Sequence, residues 1–142
     1  MIFLIGGELL GYYAPEKSSH EAFKNIEYLG VDQNLLEHFS SSEVELVNGI
    51  GMLPGNMMRQ KIYNLFSGYN FATLIHPSAT VSLNASLSEG VQVMAGAVIQ
   101  NGTTIEKNVI INTKSSIDHG CNIGAHTHIA VGATLCGDVH IA

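Results

Sequence analysis

From Ile75 to the end of the chain a bulky aliphatic residue returns at every sixth position: Ile75, Val81, Leu87, Val93, Ile99, Ile105, Ile111, Ile117, Ile123, Ile129, Leu135 and Ile141. Two places before most of them stands a small or β-branched residue, among them Ala79, Val91, Ala97, Thr103, Ser115 and Cys121. An α-helix would repeat its apolar positions every ~3.6 residues and a simple strand every ~2. A period of six needs a chain that turns a corner after each short strand, as a triangular parallel β-helix does with three hexads to the coil. Glycine or asparagine recurs where the corners fall (Gly90, Gly96, Gly102, Asn108, Gly120, Gly124, Gly132). A single coil cannot bury its own apolar row, so the coils must stack to form a core.

The residues before the hexads read differently. Met1–Ile5, followed by Gly6 and Gly7, has the pattern of a buried parallel strand entering a turn. In a nucleotide-binding α/β unit such a turn opens a helix whose N-terminal amides hold a phosphate. Here Glu8–Tyr13 reads as another strand almost at once, and Pro15 ends it. A short turn or helix is predicted within 18–28, opened by Ser18 or Ser19, and a second helix over 32–39 with Leu35, Leu36 and Phe39 on one face. Glu43–Val47 reads as a strand running into Asn48-Gly-Ile-Gly51. A helix is then predicted over 54–66, burying Met58, Ile62, Leu65 and Phe66 and exposing Arg59 and Lys61. Phe71–Ile75 is a last strand feeding the coils. The expected organisation is a small, shortened Rossmann-like α/β domain over 1–72 and a β-helix domain over 73–142.

Charge and composition narrow the function. The net charge of −6, with only six Lys and Arg, argues against a nucleic-acid footprint. No apolar run reaches the ~18 residues of a membrane span, and the first segment is too short and lacks the basic region of a signal peptide. A cytoplasmic location is expected, with no membrane partner. Cys121 sits at a small-residue position and Cys136 one place after an inward Leu135, a weak case for a disulfide.

Between Asn112 and His128 the coil faces change texture. Asn112, Lys114, Asp118, His119, His126 and His128 fall within one coil. His119 lies two places after inward Ile117 and so belongs on a face or edge of the rod. A histidine there, at a seam between two rods, can take a proton from an amine or hydroxyl, because its ordinary pKa is close to neutral. Asp118 and His128 are candidate orienting groups. These residues include metal-ligand types, but no recognised ligand spacing is present and no metal is expected.

The run Phe71-Ala-Thr-Leu-Ile-His-Pro-Ser-Ala79, the hexads after it, and Ile111-Asn-Thr-Lys-Ser-Ser-Ile-Asp-His-Gly-Cys-Asn-Ile-Gly-Ala-His-Thr-His-Ile129 resemble the sialic acid O-acetyltransferase and bacillosamine-pathway sugar N-acetyltransferase group. The resemblance implies a left-handed β-helix, an N-terminal domain that holds a nucleotide-linked sugar, a homotrimer with sites between neighbouring rods, and acetyl-CoA as donor. It also implies site roles. His119 would be the catalytic base beside Asp118. His128 would lie near both substrate and acetyl-CoA, and Asn112, Thr113 and the Gly137 amide on the acetyl-CoA side. Gly6, Gly7, Gly49, Gly51 and Arg59 would line the sugar-nucleotide site.

Three departures from the family pattern stand out. Gly120 occupies the position after the base, which is commonly acidic. The first Gly-rich loop and helix are cut short, and the acid expected at the end of the second strand is replaced around Tyr13–Ala14. The rod reaches only Ala142, where the family continues through further coils, so the β-helix is expected to be truncated at its C-terminus, with an open edge. The competing reading is a catalytically impaired trimeric sugar-nucleotide-binding or scaffold protein.

Overall fold

The computed structural model describes residues 8–53 and 55–142, together with the backbone of 2–5. The chain divides into two compact units, Met1–Ala72 and Thr73–Ala142.

The first unit is built on a four-stranded sheet of order β3-β2-β1-β4, made of β1 (Ile2–Ile5), β2 (Glu8–Tyr13), β3 (Tyr28–Gly30) and β4 (Glu45–Val47). β1 runs antiparallel to both β2 and β4, which corrects the expectation of a parallel, Rossmann-like first strand. The cause is connection length: two residues suffice for a hairpin, whereas a parallel neighbour needs a crossover of a dozen or more. Gly6 and Gly7 lie outside the described residues. Among the described residues of this unit, parallel pairing follows longer excursions, between β2 and β3 and in the bridge from Leu46 to Phe71.

The helices are shorter than their apolar patterns suggest. Residues 18–28 hold only a 3-10 turn, Glu21–Phe23, capped not by serine but by His20, whose Nδ1 accepts the Ala22 N–H at 3.1 Å. A second 3-10 turn, Asp32–Asn34, runs into α1 (Leu35–His38), burying Leu35 and leaving Leu36 exposed. The next helix is α2 (Met58–Leu65); Pro54 lies outside the described residues. Its buried face is Arg59, Ile62, Tyr63 and Phe66, while Met58 and Leu65, expected inside, are 47% and 56% exposed. The observed set is a regular i, i+3, i+4, i+7 stripe, and the Tyr63 ring stacks on Phe71 at 4.4 Å. It escapes a hydrophobicity reading because its first member is an arginine.

Arg59, expected at the surface, is 1% exposed. Its Nη1 donates to the carbonyls of Asn48 (2.6 Å) and Ile50 (2.8 Å), and Asn48 Nδ2 donates back to the Arg59 carbonyl at 2.9 Å. Burial pushes the guanidinium down to about 10, still charged at neutral pH. Phe71–Ile75 is not one strand: Phe71 pairs within the first unit, and Leu74–Ile75 begins the coil.

The second unit is a parallel β-helix of twelve two-residue strands in three four-stranded sheets. Each hexad aliphatic pairs with the one eighteen residues later. The columns are Ile75–Val93–Ile111–Ile129, Val81–Ile99–Ile117–Leu135 and Leu87–Ile105–Ile123–Ile141. Ile99, Ile105, Ile111, Ile117 and Ile123 are essentially inaccessible, and Val91, Ala97, Val109 and Cys121 pack beside them. Each fully buried aliphatic of this size contributes roughly 1.5–3 kcal/mol.

Corners take the left-handed backbone. Glycine supplies it at Gly90, Gly96, Gly102, Gly120 and Gly132, and Asn108, Lys114, His126 and Asp138 adopt it with φ between 57° and 62°. Three of those four are Asn, Asp or His, the side chains most tolerant of the region. Gly124, expected at a corner, is not left-handed; a β-carbon there would press on the Ile141 carbonyl at 2.9 Å. Cys121 is buried, Cys136 is exposed, and both are free thiols.

Candidate active site

The Ser116–Ile117 strand places Ile117 in the core and leaves Asp118 and His119 to round the corner outside it. Asp118 is held through its backbone: its N–H donates to the Leu135 carbonyl at 3.1 Å, and its carbonyl accepts Thr103 Oγ1 at 3.0 Å. Its carboxylate turns to the next residue. Oδ1 accepts the His119 N–H at 2.7 Å and stands 3.0 Å from His119 Nδ1. A carboxylate only accepts, so Nδ1 carries the hydrogen and Nε2 bears the lone pair.

The charges follow this geometry. His119 is held above its ordinary value first by the hydrogen bond to Asp118, then by the charge of Asp118, then by that of Asp138. The Asp118 carboxyl is held below its usual range first by the His119 backbone N–H and then by the imidazole. Both side chains are more than half exposed, His119 64% and Asp118 53%, so solvent screens the pair and it adds little to stability. Its effect is to fix a tautomer and aim a nitrogen.

The coil that follows closes against this imidazole. Gly137 stands eighteen residues after His119, and a β-carbon on it would lie 2.7 Å from His119 Nε2 and 2.5 Å from Cε1. Only glycine lets the ring lie against the backbone there. Among the described residues the Gly137 N–H donates to no protein acceptor. The Asp138 N–H donates to the His119 carbonyl at 2.8 Å, and the Asp138 carboxylate folds back over Gly120.

The other polar residues of the coil separate into distinct groups. Asn112 is pinned from both sides, its Oδ1 accepting the Thr113 N–H at 2.7 Å and its carbonyl accepting Ser115 Oγ at 2.7 Å. Its amide nitrogen reaches His128 Nε2 at 2.9 Å, so that nitrogen accepts and His128 Nδ1–H remains a donor. His126 bonds instead to Asn108 at the corner, at 2.8 Å. His119 stands at the corner joining the sheets of Ile117 and Ile123, whereas His128 lies on the third sheet, across the triangular rod. Among the described residues no three His, Cys, Asp or Glu side chains converge as a metal site.

In the first unit Gly49 borders a pocket of about 240 Å³ with Tyr12, Tyr13, Ser18, Phe23 and Asp32. Gly51 does not line it, and Arg59 lies buried behind the 48–50 segment, whose shape it holds through the two carbonyls. Asp32 was not singled out from the sequence. One of its carboxylate oxygens is buried and unpartnered among the described residues. It stands two residues past the end of β3; the signal in the sequence is an acid following a short strand that ends at Gly30.

Coil and corner geometry define a class, the parallel β-helix built of hexapeptide repeats, consistent with the left-handed form found among acetyltransferases. The chain is related in sequence and structure to the acetyltransferase domain of PglB from Neisseria gonorrhoeae FA1090. Against that domain's complex with acetyl coenzyme A, identity is 31% and the TM-score 0.81, over 92% of this chain and 62% of that one. PerB from Caulobacter crescentus, solved with CoA and GDP-perosamine, is 26% identical with a TM-score of 0.58, over 85% of this chain and 75% of that one. The bifunctional protein GlmU of Streptococcus sanguinis (strain SK36) is 33% identical over 76 residues, 47% of this chain and 17% of that protein. The chain therefore spans about three fifths of the PglB domain and less than a fifth of GlmU. No family model matches it. Among the described residues no helix is long and apolar enough to cross a membrane.

Proposed function

We propose that the chain forms part of an acetyl-CoA-dependent acetyltransferase, acting on an amino or hydroxyl group of a nucleotide-linked sugar in surface-glycan biosynthesis. The observation that carries this reading is the His119 imidazole, oriented by Asp118 through Nδ1 at 3.0 Å and lying with Nε2 against Gly137 of the next coil. The solved relatives support the ligand classes, since they hold acetyl coenzyme A in one case and CoA with a nucleotide-linked sugar in the other.

His119 Nε2 removes the proton from the acceptor nitrogen or oxygen as that atom attacks the thioester carbonyl. Asp118 stabilises the imidazolium that forms. The uncommitted N–H of Gly137 donates to the oxyanion of the tetrahedral intermediate. When that intermediate collapses, the carbon–sulfur bond breaks and His119 returns the proton to the departing thiolate. Asn112, Thr113 and His128 serve the donor side, and the pocket beside Gly49 and Asp32 serves the nucleotide.

The assembly that goes with this reading is the homotrimer the family resemblance implies. Within one rod His119 and His128 lie on opposite sides, so a site using both draws the second from a neighbouring copy. Thiol release from acetyl-CoA, measured with amino-sugar nucleotides and their hydroxyl counterparts, tests the activity. His119→Ala is expected to abolish turnover while the melting temperature stays near that of the parent. Full activity in the folded variant would remove His119 as the base.

A further inference from the structure

Corners of the β-helix stack at intervals of one coil, so residue 138 lies over residue 120. Gly120 is left-handed with φ +69°, and Asp138 takes the same conformation with φ +59°. Asp138 is exposed, and its Oδ1 turns toward Gly120. It lies in the space that a β-carbon on Gly120 would fill, so a side chain at 120 and this position of the carboxylate are mutually exclusive. The backbone holds it there, through the Asp138 N–H bonded to the His119 carbonyl at 2.8 Å. A negative charge from the following coil is thus returned to the coil of His119, beside a residue that has none.

We propose that Asp138 is a positioning residue for His119: its carboxylate enters from the next coil through the gap left by Gly120 and, with Asp118, brackets the imidazole. The proposal rests on His119 being the base. Asp118 bonds Nδ1 directly and sets the tautomer, while Asp138 acts through space on the positive charge the ring acquires when it takes a proton. The groups facing His119 are Asp118 on its own coil and Gly137 and Asp138 on the following one. On the preceding coil Asn101, uncharged, accepts the Gly120 N–H. Asp138 contributes in the same direction as Asp118, and its effect is smaller.

The test is an NMR titration of the histidine imidazoles in the folded protein, with His119 assigned by the resonance lost in His119→Gln. Asp138→Asn keeps a residue suited to the left-handed corner and removes the charge. It is expected to lower the His119 midpoint, so that the base form persists to lower pH and the acid limb of kcat/KM moves down by the same amount. Asp118→Asn should lower the midpoint further. Asp138→Gly should also lower it, and the exchange Gly120→Asp with Asp138→Gly should restore it by supplying the carboxylate from the other coil. An unchanged His119 midpoint in folded Asp138→Asn overturns the proposal, even if acetyl transfer is observed. A lowered midpoint in a protein that transfers no acetyl group at any pH leaves the bracketing intact and overturns the acetyltransferase reading instead.

Discussion

Replacing Gly137 by alanine should separate catalysis from stability. The new β-carbon would lie 2.5 Å from His119 Cε1, 2.7 Å from Nε2 and 3.0 Å from Nδ1. Carbon contacts settle near ~3.5–4.0 Å, so the ring must retreat by about 1 Å. Gly137 is outside the left-handed region, so alanine brings no backbone strain, and His119 is exposed enough to swing into solvent. The fold should barely register the change, within ~0.5 kcal/mol of unfolding free energy. Displacing a reacting group by ~1 Å costs on the order of 100-fold, or about 2.7 kcal/mol of transition-state stabilisation. The assay pairs kcat, from thiol release, with urea unfolding and the His119 NMR signals. A Gly137→Ala protein with unchanged kcat and an unshifted His119 resonance would refute the close approach. A loss of several kcal/mol in stability would show instead that the corner could not absorb the methyl group.

Two further outcomes follow from the cores. Ile117→Ala removes a fully buried member of a coil column and should cost about 2–5 kcal/mol, seen as a fall in urea midpoint and, because the corner of His119 hangs from this strand, as lost turnover. Arg59→Met keeps apolar volume but strips the Asn48 and Ile50 carbonyls of their donor. About 3 kcal/mol of destabilisation is expected from one buried and one part-buried carbonyl losing their charged donor, with weaker sugar-nucleotide binding in calorimetry because Gly49 and Ile50 form part of the pocket edge.

The β-helix was legible because its long-range pairing is written as a local repeat. Every hexad aliphatic meets the one eighteen residues on, so spacing alone specifies the partner of Ile117 as Ile99 on one side and Leu135 on the other. The Asp118–His119 bond was equally accessible, since it joins neighbours in the chain. No such rule governs the first seventy residues. There the hairpin of β1 and β2, the antiparallel β4 and the burial of Arg59 depend on which segments pack together, and an arginine that donates to two backbone carbonyls looks in sequence like a surface residue.

The amino-acid sequence by itself thus determined the coil, its columns and the histidine on its edge. Tertiary structure decided what surrounds that histidine. Gly120 reads in sequence as the loss of a side chain. In three dimensions it is the space into which Asp138 turns, because stacking brings residues one coil apart into contact and the left-handed corner folds the later carboxylate back onto the earlier glycine.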